Sequence, residues 1–231
     1  MKGASCRGVD RRVLAARIAQ DIPEGSYVNL GIGAPTLISN YLPGDLDIVL
    51  HTENGLLGMG PEPTAAEVDP DLINAGKLPV TELPGAAYFH HADSFGMMRG
   101  GHLDICVLGA FQVSQAGDLA NWHTGDAGAV PAVGGAMDLA IGAKQVFVMM
   151  DLLGRDGTSK LVAECSYPLT AARCVSRVYT DRAIFDVTRY GLAVIEVLGD
   201  SSVEHLREVT GLDLIDAVPK HPAATAVGSA S

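Results

Sequence analysis

The carboxylate most able to do chemistry is Glu53, in the run His51-Thr52-Glu53-Asn54-Gly55-Leu56-Leu57-Gly58-Met59-Gly60-Pro61. Strand formers, Asp47-Ile48-Val49-Leu50, lead into it and glycines follow closely. The pattern predicts a buried strand ending in a turn, with Glu53 at its carboxyl end, where open α/β sheets place their chemistry. A carboxylate pinned in a Gly-rich turn can be a nucleophile, a general base or simply a turn acceptor, and residue types alone leave all three open. Gly31 with Gly33, Gly55 with Gly58, and Gly134 with Gly135 each follow a strand or precede a helix. Three such pairs predict backbone amides facing a shared crevice, donors able to hold a developing oxyanion beside Glu53. That arrangement suits acyl chemistry at the carboxylate.

Other polar residues divide between site and scaffold. Asn29 and Asn54 can position the carboxylate or satisfy turn backbone. Lys77, after a glycine, can meet a phosphate or carboxylate or simply be solvated. Trp122, the sole indole, fits a pocket wall or a core anchor equally well. Seven histidines raise the question of metal, but His90 and His91 are adjacent and no HExxH or CxxC spacing occurs. Gly31-Ile32-Gly33-Ala34-Pro35-Thr36 has half of a dinucleotide fingerprint, yet Thr36 stands where the third glycine belongs, which argues against NAD.

The elements that must carry these residues can be read in order. Asp10 to Ile22 reads as a helix capped by Asp10, with a Leu14, Ile18 and Ile22 stripe and a stop at Pro23 and Gly25. Tyr27 to Leu30 is a strand, and Pro35 opens a helix to about Tyr41. His90 to Arg99 is a helix or half-helix, and His102 to Gly109 contains a strong buried strand. Asp118 to Val133 reads as irregular, Gly134 to Leu139 as a helix start and Lys144 to Met150 as a strand. Gly154 to Gly157 is a hairpin-type turn. Ala183 to Val187 and Leu192 to Val197 are strands, and Ser201 to Val209 is a helix with Ser201 and Glu204 at capping-box spacing. Strands alternate with helices in the first two-thirds. This predicts an α/β fold with an open, mainly parallel sheet flanked by helices, and some antiparallel strands toward the C-terminus. No repeat or linker divides the chain, so a single domain over 1–218 is expected, with a flexible lead over 1–9 and a disordered tail over 219–231.

Composition sets limits. The 231 residues are 48% hydrophobic and 19% charged, enough for a compact core. Net charge of -11 argues against nucleic-acid binding, and no run approaches a membrane span. Met1 to Gly8 lacks an apolar core, so no secretory signal is expected. Four cysteines (Cys6, Cys106, Cys165, Cys174) without metal-type pairing suit a reducing cytoplasm.

Five motifs occur in one order: Asn29-Leu30-Gly31-Ile32-Gly33, Glu53-Asn54-Gly55, Asn74-Ala75-Gly76-Lys77, Arg99-Gly100-Gly101-His102 and Gly134-Gly135-Ala136-Met137-Asp138. The series resembles the B (beta) subunits of family I coenzyme A transferases acting on 3-oxo acids, over roughly residues 10–214. Phe89-His90-His91-Ala92-Asp93-Ser94-Phe95, Asn121-Trp122-His123-Thr124-Gly125 and Pro131-Ala132-Val133-Gly134-Gly135 resemble the 3-oxoadipate branch. The acetoacetate branch more often reads Lys-Gly-Met before the paired glycines. Thr52 stands where the family generally has Ser, and both keep a hydroxyl.

The resemblance implies the CoA-transferase type of open sheet and an A-type partner chain in a heterotetramer, with the active site near the junction of the two chains. It implies that Glu53 is the nucleophile and that the Gly134 N–H serves the oxyanion. It places Asn29, Gly31, Gly33, Asn54 and Gly135 around the substrate and Lys77 near the coenzyme. The implied reaction moves CoA from succinyl-CoA to 3-oxoadipate through a glutamyl-CoA thioester on Glu53. No permanently bound cofactor and no metal is expected, CoA thioesters being substrates. Acetoacetate as acceptor, a CoA-thioester hydrolase and a non-catalytic scaffold for an active partner are the alternatives. A sugar-phosphate isomerase of related fold would not call for this set of motifs.

Overall fold

The computed structural model describes residues 7–125, 128, 130, 131 and 134–219. The tail from 220, the first six residues, and Ala132 and Val133 lie outside the described residues. Thirteen strands are described: β1 (Tyr27–Leu30), β2 (Val49–Thr52), β3 (Leu56–Met59), β4 (Glu82–Tyr88), β5 (Ile105–Leu108), β6 (Gln112–Ser114), β7 (Leu119–Ala120), β8 (Gln145–Met150), β9 (Leu161–Val162), β10 (Val175–Thr180), β11 (Ala183–Thr188), β12 (Gly191–Val197) and β13 (Ile215–Asp216). The helices are α1 (Arg11–Ala19), α2 (His91–Arg99), α3 (Ala136–Gly142) and α4 (Val203–Thr210).

Ten strands form one sheet in the order β13-β12-β11-β10-β8-β5-β1-β2-β3-β4. From β10 through β8, β5 and β1 to β2 all neighbours are parallel. These central strands bury both faces, which is why they read as continuous apolar runs. Cys106, Leu108, Val146 and Val148 point to one core, with Met98 of α2, Leu139 of α3 and Leu206 of α4. Ile105, Val107, Phe147 and Met149 alternate to the other, with Leu14 and Ile18 of α1 and Ile38. The chain leaves β1 on one side for β2 and later returns to place β5 on its other side. That reversal opens a crevice beyond the carboxyl ends of β1 and β5.

Several expectations change. Antiparallel strands close the C-terminal half as predicted, through β10, β11 and β12. They also occur at the other edge, where β2, β3 and β4 form a meander. The segment over Asp118 to Val133 is not wholly irregular, since β7 lies in it and joins β6 and β9 in a small separate sheet. β10 went unread because Arg177 interrupts its apolar pattern. Ala34–Tyr41 is a 3-10 helix rather than an α-helix. The cap of α4 is Ser202, whose hydroxyl accepts the His205 N–H at 3.1 Å, so Glu204 is not at capping-box spacing. Asp10 caps α1 as expected, accepting from the Arg12 N–H at 2.8 Å. Ordered contacts begin before it, as the Val9 N–H donates to the Asp181 carbonyl.

α1 is bound to the sheet through Asp21, just beyond its end. That carboxylate accepts Arg17 at 2.6 Å, Arg177 at 3.0 Å and the Tyr179 hydroxyl at 2.8 Å. Burial works to raise the Asp21 pKa, but the bonds from Arg17 and Tyr179 and the two guanidinium charges bring it below the ordinary value. Asp21→Ala is expected to cost about 2–4 kcal/mol in denaturant unfolding, because it leaves two guanidinium groups and a buried hydroxyl without their shared acceptor.

Candidate active site

Glu53 is delivered by β2 and held by the turn that follows. The Gly55 N–H donates to the Thr52 carbonyl at 3.1 Å, and the Leu56 N–H to the Thr52 hydroxyl at 3.0 Å. Gly55 has φ 109°, and a Cβ there would lie 2.1 Å from the Phe89 carbonyl oxygen. Only glycine fits, for both reasons. The turn therefore projects Glu53 from the sheet's carboxyl edge.

The Glu53 carboxylate is half-buried and meets the start of α3. The Gly135 main chain packs directly against it, and its N–H favours the charged carboxylate. A Cβ on Gly135 would lie 2.6 Å from Oε2 and 2.8 Å from Cδ, so glycine is what allows the approach. His91, at the start of α2, donates from Nδ1 to the Glu53 carbonyl at 2.9 Å, since a carbonyl can only accept. Burial is the largest influence on Glu53 and raises its pKa; Asp138 adds to this, while Gly135 and His91 oppose it.

Behind Glu53 lies a buried polar group that the sequence did not reveal. Asn29 and His51 are register partners on β1 and β2. The Asn29 amide donates to the His51 carbonyl at 3.1 Å, which fixes its orientation, and the same nitrogen is 3.1 Å from His51 Nδ1. Nδ1 must then accept, placing the proton on Nε2, which donates to Ser94 Oγ at 2.9 Å. The Ser94 hydroxyl in turn donates to the Thr52 carbonyl at 3.0 Å. Burial holds His51 neutral, its pKa lowered to about 4. The carbonyl just before Glu53 is thus tied to α2.

A cavity of about 510 Å³ opens beside the carboxylate. Its walls come from the carboxyl ends of β2, β5 and β8 (Glu53, Leu108, Gly109, Met149, Met150, Asp151), from Ile32 after β1, and from Gly134 to Ala136. Leu14 and Arg11 of α1, with Lys160, complete it. This size and mainly apolar lining suit a small acyl group and part of a larger carrier.

The predicted residues separate on this geometry. Glu53, Gly134 and Gly135 share the cavity. Asn29 lies in a small recess adjoining Glu53, with Asn74 and Gly76, and spends its amide on His51. Asn54 reaches the Ile73 carbonyl at 2.7 Å, binding the Asn74 loop beside the Glu53 turn. Lys77 sits in that loop at φ 62°, exposed, and is not among the cavity residues. Gly31 serves close strand packing, since a Cβ there would lie 2.9 Å from the Val107 carbonyl; Gly33 is exposed at φ 95°. Gly55 and Gly58 face the chain at Phe89 and Ala86, so the three glycine pairs do not all present amides to one crevice. Trp122 donates to the Leu169 carbonyl at 3.1 Å and is a scaffold anchor. Arg11, Asn121 and Lys160 were missed, as no local spacing links residues from an early helix and two late loops. His51 was missed as a functional position although it lies two residues from Glu53.

Residues 12–206 match the family described as Coenzyme A transferase. The chain is 65% identical over 207 residues to the B-type subunit of the 3-oxoadipate CoA-transferase of Pseudomonas putida, covering 90% of this chain and 97% of that one. It is 46% identical over 200 residues to the B-type subunit of the succinyl-CoA:3-ketoacid coenzyme A transferase of Helicobacter pylori, covering 87% and 96%. The fold matches the acyl-CoA transferase YdiF of Escherichia coli O157:H7 at TM-score 0.70 and 19% identity, over 91% of this chain. The chain spans 42% of the YdiF chain.

The raised pKa of Glu53 has a stability consequence. The folded chain holds this proton more tightly than the unfolded chain. Its contribution is therefore fully present below the ordinary carboxylate pKa and lost as pH rises through the raised value. Glu53→Gln, which keeps an acceptor for Gly135, is expected to raise the melting temperature at neutral pH. The gain should shrink to nothing as the pH falls below the ordinary carboxylate range, checked by thermal melts across pH.

Proposed function

The chain belongs to the coenzyme A transferase family, and on that premise we propose that it serves as the B-type subunit in moving CoA from succinyl-CoA to 3-oxoadipate. The observation that carries this reading is the half-buried Glu53 carboxylate, packed against Gly135 at the wall of an acyl-sized cavity. The Pseudomonas relative, by its name, supplies the acceptor and the Helicobacter relative the donor. Both are B-type chains, which supports the expectation of an A-type partner. Acetoacetate is the alternative acceptor, in line with the 3-ketoacid named for the Helicobacter relative and others.

In the proposed reaction a Glu53 oxygen attacks the succinyl-CoA carbonyl carbon. The C–S bond breaks, giving a mixed anhydride and CoA thiolate. The thiolate attacks the Glu53 carbonyl carbon, the anhydride C–O bond breaks, and succinate leaves as glutamyl-CoA forms. 3-Oxoadipate runs the same steps in reverse and departs as its CoA ester. No proton or electron is consumed overall, and the division into covalent steps yields ping-pong kinetics.

Partial desolvation of Glu53 removes some of the hydration that would blunt a carboxylate nucleophile. Gly134 and Gly135 are the proposed donors to the oxyanion, each worth about 3 kcal/mol in a comparable site. Asn29 with the Gly31 and Gly33 turn borders the substrate, Asn54 holds the turn, and exposed Lys77 meets the coenzyme. The A-type chain covers the cavity, excluding water that would hydrolyse the anhydride, in a proposed heterotetramer. Free thiols at Cys106, Cys165 and Cys174 support a cytoplasmic setting. No described helix is long and apolar enough to cross a membrane.

With an A-type partner co-expressed, acyl-CoA alone should leave CoA covalently on the peptide containing Glu53, seen by mass spectrometry. Glu53→Gln should lose the adduct and about 10³-fold or more of turnover. An active Glu53→Gln enzyme without adduct would remove the proposal. Gly135→Ala should fold but lose about 10²-fold in kcat, because its methyl displaces the carboxylate.

A further inference from the structure

Lys160 is a partly buried cation. Its ammonium makes no hydrogen bond or ion pair with any other described residue, although Lys160 lines the same cavity as Glu53. The neighbouring charges are already engaged. Asp151 accepts Arg11 at 2.6 Å, and Asp181 accepts the Leu152 N–H at 2.8 Å and faces Arg182 at 3.6 Å. Burial is the largest influence on the Lys160 ammonium and pushes its pKa down, against the pull of Asp151 and Asp181. A desolvated ammonium of this kind gains from an anion brought in by a ligand.

The cavity holds two charge centres. The electrostatic neighbours of Glu53 are His91 and Asp138, whereas those of Lys160 are Asp151, Arg11 and Asp181. Apolar side chains, Leu14, Leu108, Met149 and Met150 among them, line the same space. We infer that Lys160 receives the distal carboxylate of a dicarboxylic acyl group whose reacting carbonyl lies at Glu53. The inference rests on the reading of Glu53 as the acyl-transfer nucleophile, and it adds the residue that selects among the acyl groups of that site. Both the donor and the acceptor proposed above keep one free carboxylate while the other is activated. That free carboxylate must enter a largely apolar cavity, which is costly without a cation. Arg11 is fixed in its fork with Asp151, but a lysine on a flexible four-carbon stem can follow carboxylates at different depths. One residue can therefore serve both the shorter succinyl and the longer 3-oxoadipyl chain.

The test uses the co-expressed enzyme with succinyl-CoA and with butyryl-CoA, which has the same carbon count and no distal carboxylate. Lys160→Met is expected to raise KM for succinyl-CoA by about 10- to 100-fold, the loss of one charge-assisted hydrogen bond. KM for butyryl-CoA should stay within about two-fold, and Lys160→Arg should recover part of the succinyl preference. Equal change for both thioesters, or no change for either, overturns the inference while leaving the Glu53 reading intact. A wild-type complex that forms no Glu53 adduct and transfers nothing from succinyl-CoA overturns both. If Lys160→Met does not fold, product inhibition of the wild type replaces it: succinate should inhibit more strongly than butyrate, and equal inhibition rejects the inference.

Discussion

Glu53 is held partly out of water against the main chain at Gly135, and the surrounding architecture maintains that contact. The carboxylate comes from the tip of a hairpin and the donor from the start of α3, far along the chain. Neither group can approach the other if a side chain intervenes. The missing Cβ at Gly135 is therefore a steric requirement. The missing Cβ at Gly55 is its counterpart on the other side, letting the turn pass beneath the chain at Phe89.

The sheet places these parts by its topology. Because β1 has β2 on one side and β5 on the other, their carboxyl ends diverge and leave a crevice that side chains line but do not fill. The buried bonds among Asn29, His51, Ser94 and Thr52 lock the strand end that feeds the crevice to the helix beside it. Neutral His51 suits this role: its two ring nitrogens offer one acceptor and one donor, and burial keeps them so through the physiological range. Rigidity behind the carboxylate and space in front of it are two results of the same strand order.

Charge is distributed sparingly in this acidic chain. Most cations near the site are occupied, Arg11 by Asp151 and Arg99 by Asp138. Lys160 stands apart from that pattern, facing the cavity with carboxylates near enough to influence it but none of the described ones within bonding distance. An unpaired, partly desolvated ammonium beside an acyl-sized apolar space gives the cavity a polarity, one end for acyl transfer and one for a carboxylate.

Local pattern determined a great deal of this protein. The apolar runs at Tyr27, Ile105 and Gln145, the Asp10 cap and the Gly-rich turn after Glu53 were legible, because helix and strand periods and glycine's backbone freedom act within a few residues. Pattern also singled out Glu53 and the paired glycines, although composition alone could not separate nucleophile from turn acceptor. Other features needed the tertiary structure. Burial of Glu53, the neutral tautomer of His51 and the use of Asn54 as a loop tie depend on who lies across the sheet, which the pairing of β1 with both β2 and β5 decides. The antiparallel edge from β2 to β4 was hidden because packing there sets the conformation, and the strand at Arg177 because a charged residue interrupts its apolar run. Lys160 had no signature at all, since its solitude is a statement about distance through space and a chain read in one dimension carries no such distances.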